Sequence, residues 1–136
     1  MPRAPSRPAR SLVLIADDNL DTREMYATYL RAVGYAVETA ADGRQAVVKA
    51  VTRRPDLIVL DLRMPRVDGW SAMREIRGNA TTAKTPIVVL TGHDLKEHLK
   101  QSALAEGASS YLMKPCLPEQ LAREIAECLQ TRQRRA

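Results

Sequence analysis

Four short apolar runs, each ending in a polar residue, constrain this chain more than any other feature. The runs are Leu12–Ala16, Leu57–Leu60, Ile87–Leu90 and Tyr111–Met113, and they end in Asp17-Asp18, Asp61, Thr91 and Lys114. Unbroken Val/Ile/Leu stretches of this length are the pattern of parallel strands buried on both faces. In an open α/β sheet the ligand crevice lies beyond the carboxyl ends of the strands. Three carboxylates, a hydroxyl and an ammonium therefore converge on one crevice. Such a set suits a hard cation and a phosphoryl group.

Helical patterns separate the runs. Asn19 is an N-cap with Asp21 in the first turn, and Tyr26, Tyr29, Leu30 and Val33 follow at helical spacing up to Gly34. Residues 35–39 predict a short second strand, and Asp42 with Gln45 a capping box ahead of Val47, Ala50 and Val51. Asp68-Gly69 opens a third helix carrying Trp70, Met73 and Ile76, and the polar segment 78–84 reads as a loop. Leu95 and Leu99 begin a fourth helix that stops at Gly107; Pro118 starts a fifth, with Leu121, Ile125, Cys128 and Leu129 as its buried stripe. The expected fold is α/β: a (βα)5 doubly wound, five-stranded parallel sheet of flavodoxin-like order 2-1-3-4-5. That order sets Asp17-Asp18 beside Asp61.

The formal charge of +5 sits at the ends. Arg3, Arg7 and Arg10 lie in a Pro-rich opening, and Arg132, Arg134 and Arg135 close the chain. Setting these six aside leaves 15 of the 21 basic residues against 16 acidic ones. A nucleic-acid-binding domain carries its basic surface on the folded body, so specific DNA binding is not expected. No apolar run approaches the roughly 18 residues of a membrane helix, and the opening lacks the apolar stretch of a signal peptide. Two cysteines, Cys116 and Cys128, are too few for a disulfide framework or a zinc site. A cytoplasmic protein with no membrane association is expected.

The strand-end acids would repel strongly if left bare. Magnesium relieves this, because it takes oxygen ligands and keeps waters that phosphate oxygens can replace. Lys114 precedes Pro115, and X-Pro bonds are the ones that adopt cis with any frequency. A cis bond there turns the chain sharply and aims the ammonium into the crevice; the alternative is a lysine that snorkels to solvent. Thr91 is either an ordinary β-branched strand residue or, beside the small Gly92, a hydroxyl facing a phosphoryl oxygen.

At these residues the chain resembles a response-regulator receiver domain of two-component signalling. The resemblance runs from Leu12 to Leu129. It is carried by Asp17-Asp18, by Leu60-Asp61-Leu62-Arg63-Met64-Pro65 leading to Asp68-Gly69, by Thr91-Gly92, and by Tyr111-Leu112-Met113-Lys114-Pro115. It implies a receiver domain at residues 11–130; by composition, residues 1–10 read as a disordered basic arm and residues 131–136 as a basic C-terminal tail. It also implies that Asp61 accepts a phosphoryl group from a sensor histidine kinase or a histidine phosphotransfer protein, and later loses it in a magnesium-dependent self-dephosphorylation. Asp18, Asp61 and the Arg63 backbone carbonyl would bind magnesium, or manganese, directly, with Asp17 helping through water. Lys114 would pair with the phosphoryl group, Thr91 would move to hydrogen-bond it, and Tyr111 would turn inward. The change would be read on the helix 4–strand 5–helix 5 face by a downstream protein or by a second copy in a homodimer.

Arg63 and His93, each two residues past a site residue, occupy positions that in the family tune phosphoryl lifetime. Cys116 stands where many relatives have an aromatic, and is expected to be a small buried thiol rather than a redox sensor. The expected function is a stand-alone regulatory phosphoacceptor rather than an enzyme. An aspartyl-phosphate phosphohydrolase is the first alternative, but the position for its general acid holds Arg63, which does not release a proton at neutral pH. A pseudo-receiver that binds partners without phosphorylation is the second, and the complete set Asp17, Asp18, Asp61, Thr91 and Lys114 speaks against it.

Overall fold

The computed structural model describes residues 10–64, 66–92 and 97–135. The expected arm up to residue 9, Pro65, His93 and Leu95 lie outside the described residues. The elements are β1 (Leu12–Ala16), α1 (Leu20–Ala32), β2 (Ala36–Ala40), α2 (Gly43–Arg53) and β3 (Leu57–Leu60). They continue with α3 (Gly69–Gly78), β4 (Ile87–Thr91), α4 (Glu97–Ala105), β5 (Ser110–Met113) and α5 (Pro118–Arg135). All strand pairs are parallel, in the order β2-β1-β3-β4-β5.

Alternate residues of each buried strand serve opposite layers, as a two-residue side-chain period requires. Leu14, Ile58, Leu60 and Val89 pack with Ala46, Ala50, Met73, Ile76 and Ala103, which come from α2, α3 and α4. Val13, Ile15, Val59 and Leu90 pack with Tyr26, Leu30, Leu121 and Ile125 of α1 and α5. Helices therefore cover both faces, and every strand delivers its last residue to one rim.

Helix starts are set where the side chains demand. Asn19, Asp42 and Asp68 each accept a hydrogen bond from the backbone N–H three residues on. The Asp42–Gln45 box is shifted in one arm, since the Gln45 amide oxygen accepts from the N–H of Ala41. β2 is displaced by one residue from the expected span, running on to Ala40, whose carbonyl accepts from the Asp17 N–H at 3.0 Å. α5 continues through residues 131–135, where a separate tail was expected. Arginine and glutamine are good helix formers and nothing there breaks the helix.

Arg77 ties the opposite rim together. Its guanidinium donates to the carbonyls of Thr85 at 2.7 Å and Gly107 at 2.7 Å, and also to that of Ala83. The α3–β4 loop and the turn after α4 are joined through this one side chain.

The start of α3 lies directly on the loop after β3. A Cβ at Gly69 would overlap the Asp61 carbonyl oxygen and Leu62 Cα, whereas one at Gly78 meets nothing within 4 Å. Gly69→Ala is expected to lose about 1–3 kcal/mol through overpacking, although alanine is ordinarily better than glycine in a helix by about 0.5–1 kcal/mol. Gly78→Ala should show that ordinary gain. Urea unfolding of the two variants measures both, and a Gly69→Ala protein as stable as wild type would show that the loop yields.

Candidate functional site

The rim at the carboxyl ends of the strands collects the acids. Carboxylate oxygens of Asp17, Asp18 and Asp61 lie within 4.8 Å of one another. Asp17 and Asp61 are 3% and 5% exposed, while Asp18 faces solvent. Backbone bonding fixes both buried acids, because Asp61 N–H donates to the Ala16 carbonyl at 3.0 Å. Asp17 Oδ1 also accepts the Asn19 N–H at 2.9 Å, so the acid is tied to the start of α1.

Lys114 is not a solvent-facing lysine. Its Nζ lies 2.6 Å from Asp17 Oδ2 and 3.1 Å from Asp61 Oδ2. The Lys114–Pro115 peptide bond is cis. Burial, the largest single influence, pushes the ammonium's pKa down; hydrogen bonds and charges from Asp17 and Asp61 together outweigh it and hold it above the ordinary lysine value. The other Asp61 oxygen, Oδ1, accepts from the Arg63 N–H at 3.0 Å and from Thr91 Oγ1 at 3.1 Å. Thr91, expected at a strand end, is the last residue of β4 and its hydroxyl faces the acid.

Tyr111 is half-buried against the core formed with α2, α3 and α4, and its hydroxyl is shielded from water. The Arg63 side chain is exposed, with its guanidinium 4.0 Å from where a Cβ on Gly92 would stand. It therefore leans across the mouth from the β3 side to the β4 side. Cys116 is buried, and burial raises its thiol pKa. Arg23 and Tyr26 belong to the neighbourhood as well. Arg23 donates to the Asp17 carbonyl at 2.8 Å, and Tyr26 to the Cys116 carbonyl at 2.6 Å. Both bonds end on backbone oxygens, which leave no mark in a sequence.

The donor set is three carboxylates, one of them open to solvent. All-oxygen ligation with room for water suits magnesium or manganese and does not suit zinc or copper. A groove of about 790 Å³ lies at the opposite rim, lined by Arg77, Pro86, Ser109, Cys128 and Thr131 among others, and holds none of the strand-end residues.

Residues 13–126 match the family model of the response regulator receiver domain. The chain is 42% identical over 109 residues to the response regulator MprA of Mycolicibacterium vanbaalenii, covering 80% of this chain and 46% of that protein. It spans about half the length of the curated relatives it matches. Among solved structures it resembles the chemotaxis protein CheY4 of Vibrio cholerae, at 37% identity and a TM-score of 0.82, with 88% of this chain and 98% of the other covered. It also resembles the receiver domain of a sensor histidine kinase from Pseudomonas aeruginosa, which has a magnesium ion coordinated in its active-site cleft. There the identity is 35% and the TM-score 0.82, over 90% of this chain and 99% of the other. No helix among the described residues is long and apolar enough to cross a membrane.

Replacing Lys114 by methionine would leave Asp17 and Asp61 buried without a counter-cation, a loss of about 3–5 kcal/mol. Urea unfolding in EDTA at neutral pH should show it. Because the folded pKa of Lys114 is raised, its contribution is complete below the unfolded lysine value, about 10.4, and disappears as the pH climbs through the folded value. Wild type and Lys114→Met should therefore converge in strong alkali. A gap that stays constant with pH would mean that lost packing, not charge, separates them.

Proposed function

The chain belongs to the response-regulator receiver family, and we propose that Asp61 is the residue through which it is switched. As a member of that family it is a phosphorylation-activated signalling switch, a regulatory phosphoacceptor domain. The observation that carries the assignment is the surroundings of Asp61. Its carboxylate is buried, bonded on one oxygen by Thr91 and on the other by Lys114, and flanked by two further acids.

On this proposal an Asp61 oxygen attacks the phosphorus of a phosphohistidine on a histidine kinase or histidine phosphotransfer protein. The P–N bond breaks, and the imidazole is protonated as it leaves. Phosphoryl transfer depends on in-line placement and on neutralising the equatorial oxygens. Lys114 and the Thr91 hydroxyl supply positive and hydrogen-bonding partners from the β4–β5 side. Asp18, Asp61 and the Arg63 carbonyl would hold magnesium, with Asp17 acting through water, and the ion would offset the charges of acceptor and donor. The output is proposed to be a protein contact, with a target or with a second copy, on the face made by α4, β5 and α5. Self-dephosphorylation follows when water attacks the same phosphorus: the P–O bond to Asp61 breaks, the carboxylate is restored and inorganic phosphate leaves. The exposed Arg63 is not a general acid, which leaves the phosphohydrolase alternative without a proton donor at that position.

Two outcomes test these assignments. With acetyl phosphate and magnesium, intact mass should rise by one phosphoryl group, and Asp61→Asn should abolish the gain; labelling that survives that substitution, or needs no divalent ion, would place the chemistry elsewhere. Because the Arg63 guanidinium leans over the mouth, Arg63→Ala should open the path for water and shorten the phosphoryl lifetime several-fold. Its magnesium affinity should hold, since a backbone carbonyl is the ligand there. Equal lifetimes in radiolabel decay would remove Arg63 from the account.

A further inference from the structure

Lys114 has a long way to reach. It follows β5 at the sheet edge, yet its ammonium contacts the acids that follow β1 and β3, on the far side of β4. Where the ammonium lands therefore depends on how the 114–117 loop is held over the rim. Its first residue is tied to β4, with Lys114 N–H donating to the Thr91 carbonyl at 2.8 Å. Its last is tied to α5, where the N–H groups of Gln120 and Leu121 donate to the Leu117 carbonyl. Between these ties the Tyr26 hydroxyl donates to the Cys116 carbonyl at 2.6 Å, reaching it from α1, 90 residues earlier in the chain.

We propose that Tyr26 is a positioning residue for phosphoryl transfer: by holding the Cys116 carbonyl from α1, its hydroxyl sets where the Lys114 ammonium sits between Asp17 and Asp61. The inference rests on Asp61 as acceptor and Lys114 as the cation at its carboxylate. The same helix carries both halves of the alignment. Asp17 receives the Asn19 N–H at the start of α1, and Tyr26 lies two turns further along it. The acid that Lys114 bridges and the loop that carries Lys114 are thus referred to one rigid element. Tyr26 is 2% exposed and Cys116 5%, and both sit in the apolar cluster of Ile15, Leu90 and Leu121, so bulk water cannot readily take over the bond. Burial, above all, raises the phenol's pKa, and the hydroxyl stays a donor across the neutral range.

Tyr26→Phe keeps the ring and removes only the hydroxyl. Labelling of Asp61 by acetyl phosphate with magnesium should slow about tenfold, within the roughly hundredfold that an ångström of misplacement costs. Magnesium affinity should be unchanged. A double-mutant cycle separates alignment from general loosening, because residues that act through one another are not additive. In a Lys114→Ala background, Tyr26→Phe should alter the labelling rate by about twofold or less. In lysine side-chain NMR the Lys114 ammonium signal should broaden in Tyr26→Phe while that of Lys49 persists. A Tyr26→Phe rate equal to wild type, or the same fold-loss in both backgrounds, overturns the proposal. Failure of the wild type to label, or normal labelling of Asp61→Asn, overturns the acceptor assignment instead, so the two failures are distinguishable.

Discussion

The Lys114 ammonium lies between Asp17 Oδ2 and Asp61 Oδ2, at 2.6 and 3.1 Å, and the charged rim of the sheet depends on that bridge. The fold brings the three acids together whether or not their charges agree, because strand order and the hydrophobic layers fix where β1 and β3 end. With carboxylate oxygens within 4.8 Å of one another, each pair repels by roughly 3–4 kcal/mol at an effective dielectric of about 20. At 2.6 and 3.1 Å, Lys114 sets a positive charge directly against each of the two buried acids. Asp18, exposed to water, contributes least to the problem. One cation just past the edge strand therefore makes a buried acidic pair compatible with a folded sheet.

The bridge also couples β4 to the site. Thr91 touches both charged partners, donating from its hydroxyl to Asp61 and accepting at its carbonyl from the Lys114 N–H. Val89, two residues earlier, is paired across the sheet with Tyr111, and Thr91 with Met113. A phosphoryl group on Asp61 would be esterified to one carboxylate oxygen and take away its negative charge, so the partner bonded to that oxygen, Thr91 or Lys114, would have to take a new one. Any shift of Thr91 is handed to β5 through the ladder, and so reaches Tyr111 by contiguous bonds. A change at one carboxylate can then bias packing under the edge strand, the kind of two-arrangement element that switching requires.

Much of this was legible before any coordinates, for identifiable reasons. Buried parallel strands have no polar residue until they end, so the runs at 12–16, 57–60 and 87–90 announced both the sheet and the positions of Asp17, Asp61 and Thr91. Caps at Asn19, Asp42 and Asp68 were legible because the residue type itself makes the bond. Contacts that end on backbone oxygens were not. Tyr26 reads as one member of an apolar helical stripe, and nothing in its spacing reveals a hydroxyl directed at the Cys116 carbonyl. No sequence pattern singles out Arg77, yet its guanidinium spends its donors on the carbonyls of Thr82, Ala83, Thr85 and Gly107. The choice between a solvent-facing and an inward Lys114 was likewise open, because it turns on the path of four residues after the strand. The shielding of the Tyr111 hydroxyl was not legible either, since burial of a ring's tip depends on neighbours from α2, α3 and α4.

Stability and signalling draw on the same few charges here, and that limits how either can be adjusted. A second lysine beside Asp17 would relieve the acids further, but it would occupy the space and cancel the charge that the proposed magnesium ion would need. Removing one acid would relieve them too, at the expense of a ligand for the proposed ion. The arrangement instead leaves Asp18 in solvent, where its charge is cheap to keep, and places the Lys114 ammonium on a loop held by α1, β4 and α5. A loop tied from three elements resists drift, yet each tie is one or two hydrogen bonds, worth roughly 1 kcal/mol apiece. Forces of the size that a phosphoryl group introduces, several kcal/mol at these distances, are enough to move it. The bridge is strong enough to fold around and weak enough to be rewritten.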